Sequence, residues 1–61
     1  MDLREKVQLI TNAQKALALA KAHFEAAYIK FDKDVEEGWK EENSAHVELA
    51  RVLNILNQIK P

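Results

Sequence analysis

The sequence predicts an all-α helical hairpin. Three observations carry that prediction. Large apolar residues recur every seven positions through the first half of the chain. Alanine is abundant, while there is one glycine and one proline in 61 residues. A second apolar stripe with helical spacing follows a charged stretch around Gly38. One glycine and one proline leave little to build the tight turns of an all-β fold.

The first helix is expected over residues 3–37. Asp2 stands where an N-cap belongs, with Glu5 three residues on, the spacing of a capping box. Leu3, Ile10, Leu17, Phe24 and Phe31 form one column at seven-residue spacing. Val7, Gln14, Lys21, Tyr28 and Val35 run along one flank, and Lys6, Ala13, Ala20, Ala27 and Asp34 along the other. Together they make an apolar stripe down a helix of about 50 Å. Large residues beside a column of alanines suit a helix–helix seam, because small side chains let a neighbour approach closely. Gln14 and Lys21 read as edge positions, the lysine stem lying along apolar surface with its ammonium in water.

Gly38 is the natural breaker, and residues 32–42 around it read as a solvated acidic connector. Asn43 or Ser44 then caps a second helix over residues 44–59, ending at Lys60-Pro61. Ala45, Leu49, Val52, Leu56 and Ile59 form its stripe, broadened by Leu53 and Ile55. Glu48, Arg51, Asn54, Asn57 and Gln58 are its polar residues. Trp39, one residue past Gly38, is expected either to fold back near Phe31 and Val35 or to serve as a partly exposed partner anchor.

These elements make one domain over residues 1–61. A chain this short builds a marginal core, and natural proteins of the size add disulfides, a metal or a partner chain. With no cysteine, disulfides and cysteine-based zinc sites are excluded. A return helix of 16 to 22 residues spans only about 24 to 33 Å. It would leave Leu3, Val7 and Ile10 of the longer helix without cover. Those three, with Leu17 and Phe24, are the expected interface for self-association, two hairpins pairing about a two-fold axis into a four-helix arrangement. The competing expectation is that the same patch binds a different protein.

No catalytic or cofactor-binding residues are expected. Ser44 and Thr11 have no His–carboxylate partner set by spacing, and neither His23 nor His46 has a glutamate three residues before it, as di-iron bundles require. His46 is expected to share a helix face with Glu42, and His23 to sit at the edge of the core. A two-helix unit also lacks the scaffold for a deep pocket. The function expected is therefore a non-enzymatic protein-interaction module or regulator, without metal or cofactor.

Nucleic-acid binding is the alternative. Arg4, Lys15, Lys21, Lys30, Arg51 and Lys60 offer a composite basic face in a dimer. A net charge of −1 and the absence of a clustered basic run weigh against it. Charge is instead segmented: five basic and three acidic residues over 1–31, two and six over 32–42, two and one over 43–61. The longest apolar run, residues 16–20, is far below the ~20 residues of a membrane span. Mixed charges in residues 1–6 give no signal-peptide pattern, so a cytoplasmic protein is expected.

Overall fold

The computed structural model describes residues 2–59 as two antiparallel helices, α1 (Leu3–Phe31) and α2 (Val35–Ile59). The helical hairpin expected from the sequence is present. Its turn lies elsewhere.

Helix α1 opens as anticipated: Asp2 is extended, and its Oδ1 accepts the Glu5 backbone N–H at 2.8 Å. It closes six residues earlier than expected. The Lys30 carbonyl accepts from the N–H groups of Lys33 (2.9 Å) and Asp34 (2.7 Å), ending the first helix in a three-residue turn. Asp34 then starts the second: its Oδ1 accepts the Glu36 N–H at 3.0 Å, and its carbonyl accepts from Gly38 at 3.0 Å. Glu36 and Glu37 occupy the first turn of α2, where the helix dipole favours negative charge. The supposed acidic connector is thus the capped N-terminus of a helix. Asn43 and Ser44 lie inside α2, and Ser44 Oγ donates to the Lys40 carbonyl instead of capping. The expected stop at Lys60-Pro61 lies outside the described residues.

Gly38 does not break anything. The turn is made with no residue at positive φ, so it needs no glycine. Gly38 is instead a buried point of close approach within α2. A Cβ built there would lie 2.5–2.8 Å from the Phe31 ring. Alanine for glycine inside a helix ordinarily gains about 1 kcal/mol. Here the ring must give way, so Gly38→Ala is expected to lose about 1 kcal/mol in urea unfolding. In a Phe31→Ala background the same change should become stabilising, because only propensity is left.

Starting at Val35, α2 has 25 residues, about 37 Å, against 29 residues and about 43 Å for α1. Residues 2–8 are all exposed, and Leu9 is the first half-buried position of α1. The return helix therefore covers all but the leading two turns. This corrects the expected length mismatch: Leu3 and Val7 overhang, but Ile10 does not.

The core is small. The buried hydrophobic residues are Ala13, Ala16, Ala20, Ala27 and Ala45, with no fully buried large side chain among the described residues. The alanine column of α1 faces α2, and half-buried Leu49, Val52, Ile55 and Ile59 face back. Leu53 and Leu56, expected in that inner stripe, are 63% and 48% exposed.

Candidate interaction face

The column of large residues on α1 lies beside the seam, not in it. A column seven residues apart shifts only slightly around a helix, and its neighbour stands about 50° away. With Ala13, Ala20 and Ala27 pointing at α2, Leu3, Ile10, Leu17 and Phe24 are left on one side of the hairpin. Val7 and Tyr28 continue that side further from the seam. All six are exposed, from 40% for Phe24 to 81% for Tyr28.

Two aromatic contacts fix which part of α2 shares this side. The Phe31 and Trp39 rings meet edge to face at 5.5 Å and 88°. Those of Phe24 and His46 meet at 6.0 Å and 77°. Trp39, His46 and Leu53 are seven apart, so they form the matching column of α2, flanked by Val35 and Leu56. Trp39 folds back on Phe31, the first of its two expected placements, and remains 53% exposed. The expected interface residues Leu3, Val7, Ile10, Leu17 and Phe24 thus fall on one face. Tyr28, Val35, Leu53 and Leu56 extend it. Leu53 and Leu56 were missed because periodicity alone placed them inward, although the 39–46–53 spacing was visible.

Ten large apolar side chains line this face. At roughly 150–250 Å² per large side chain, their exposed fractions amount to on the order of 1,000 Å². Leu19, Ile29 and Val47 are also exposed but point elsewhere.

The other edge of the seam is polar. Glu41 accepts from Lys30 Nζ at 2.8 Å through Oε1 and meets His23 Nδ1 at 2.8 Å through Oε2. His23 is at the core edge, as expected, but its link to a residue 18 positions on is not visible without the register. The hydrogen bond from Lys30, then that from His23, holds the Glu41 carboxyl below its ordinary range, and Glu41 in turn raises Lys30. A carboxylate whose folded value is lowered supports the fold above its ordinary range and stops doing so as pH falls through the folded value. A raised lysine supports it below the ordinary lysine range and is lost as pH climbs through the raised value. Glu41→Gln is therefore expected to lower the melting temperature at neutral pH. The gap from the parent should shrink as pH falls below the ordinary carboxylate value of about 4.3.

Two turns further, Glu48, read from the sequence as one of the polar residues of α2, is half-buried. Its side chain is 13% exposed, Oε1 is 3.6 Å from Arg51, and the buried Oε2 has no hydrogen-bond partner among the described residues. A buried oxygen left unpaired costs about 1–3 kcal/mol. Glu48→Leu is expected to stabilise the hairpin by about 1 kcal/mol, read as a raised urea midpoint with an unchanged slope. His46 and Glu42 share a face as expected, at 3.4 Å.

Comparison with known proteins finds no family model, no curated protein and no solved structure that matches the chain. The face must be interpreted from its own chemistry. Among the described residues, no group of three or more His, Cys, Asp or Glu is placed to hold a metal ion, and no helix is long and apolar enough to cross a membrane.

Proposed function

We propose that this chain is a non-enzymatic interaction module that works as a homodimer through the apolar face. One observation carries the reading: the buried hydrophobic core consists of alanines, while ten large apolar side chains stand in water on one side. Fully burying such a side chain is worth about 1.5–3 kcal/mol, and alanine contributes much less. A hairpin that fully buries only small residues and leaves ten large ones 40–81% exposed has left part of its hydrophobic free energy unused.

Monomeric soluble proteins rarely expose contiguous apolar patches above about 300–600 Å². Stable interfaces bury about 800 Å² on each partner. The summed apolar exposure on this side of the hairpin is of the same order as these figures. A second copy is the favoured occupant because two-fold pairs are the commonest oligomers and their interface requires no other gene product. Two hairpins joined face to face make a four-helix arrangement whose interior holds Leu17, Phe24 and Leu53 in place of alanine alone.

Sedimentation equilibrium over a micromolar concentration range tests this directly. The expected result is twice the mass of one chain. A folded species with the mass of one chain throughout that range would overturn the reading.

A further inference from the structure

The apolar face is not the same at its two ends, and we infer that a second copy lies on it antiparallel, each open end covering the other's turn end. The inference rests on the homodimer reading and adds the orientation.

The first asymmetry is one of size. All four aromatic residues of the chain, Phe24, Tyr28, Phe31 and Trp39, are in the half next to the turn. Phe24 and Phe31 meet His46 and Trp39 of α2 on this side, and Tyr28, one turn from Phe24 on α1, is 81% exposed beside them. The opposite end carries the slimmer Leu3, Val7 and Ile10. A parallel pair would stack bulky on bulky at one end and leave a gap at the other. An antiparallel pair sets aromatic rings against aliphatic side chains at both ends, which keeps the spacing even. It also covers Leu3 and Val7, which α2 does not reach, with Tyr28 and Trp39 of the second copy.

The second asymmetry is charge. Residues 16–46, the half that contains the turn, hold four basic and seven acidic side chains, net −3. Among the described residues the open half, 2–15 and 47–59, holds four basic and three acidic side chains, net +1. Each hairpin is thus a dipole along its 47 Å length. Parallel pairing sets like ends together. Antiparallel pairing sets each acidic turn against the open, basic end of its neighbour, and such complementarity selects orientation. The two-fold axis then passes close to Leu17, the midpoint of α1.

The chain has no cysteine, so single spin labels can be placed cleanly. Exposed Arg4 and Lys33 mark the open and turn ends. Arg4→Cys and Lys33→Cys, labelled separately, are measured by electron–electron dipolar spectroscopy, with circular dichroism confirming helicity. In the antiparallel pair the two copies of each label are about 40 Å apart or more at both positions, from 1.5 Å per residue on either side of Leu17. Distances below about 25 Å at both positions, as neighbouring parallel helices require, would overturn the orientation while leaving the dimer intact. Absence of dipolar coupling together with the mass of one chain would instead overturn the dimer itself.

Discussion

Leu17→Glu is expected to convert the protein from dimer to single chain and to lower its melting temperature sharply. On an isolated hairpin the change should be nearly silent. Leu17 is 52% exposed there, it makes no hydrogen bond, and surface substitutions usually stay within about 0.5 kcal/mol. In the proposed dimer Leu17 is close to the two-fold axis, so two new carboxylates would enter the interior together, near each other and without partners. Burying an unpaired charge costs several kcal/mol. A weakening of at least 100-fold, about 2.7 kcal/mol, is expected from sedimentation of the variant beside the parent. A variant that keeps the parent's mass and melting temperature would show that this face stays in water.

The second large effect is expected at Ala45, which is 0% exposed. The seam between α1 and α2 is lined by buried alanines, and small side chains at a helix contact let the two helices approach closely. Leucine at 45 adds three heavy atoms with nowhere to go, so the helices must part or tilt. Overpacking costs about 1–3 kcal/mol, and a chain of this size has only a few kcal/mol to lose. Separation at Ala45 would also disturb the Glu41 contacts four residues away. Ala45→Leu is expected to be largely unfolded at room temperature by circular dichroism. Ala50→Leu, on the exposed side of the same helix, adds the same atoms and should melt like the parent.

The two predictions separate two columns that the sequence shows side by side. The heptad pattern made α1 legible, and Asp2 with Glu5 marked its start. Periodicity could not say which column meets α2, because neighbouring columns repeat at the same interval. The decision is made by packing: a short turn brings the helices close, and only alanine tolerates that distance. The large residues are displaced to the side, where they become the candidate interface.

The turn was misplaced for a related reason. A lone glycine in a charged stretch looks like a breaker, but its lack of a Cβ serves the Phe31 ring. The true signal was Asp34 with Glu37 three residues later, the same spacing as Asp2 with Glu5. The Glu41 cluster and the half-buried Glu48 had no local signature. Both depend on which residues of α1 and α2 stand level, and that follows from the turn.

The account depends on the large apolar residues being buried by another copy. Thermal unfolding of the unaltered chain across a hundredfold range of concentration tests this most directly. Dissociation coupled to unfolding predicts a melting temperature that climbs with concentration. A melting temperature that stays the same at every concentration, for a species with the mass of one chain, would contradict it.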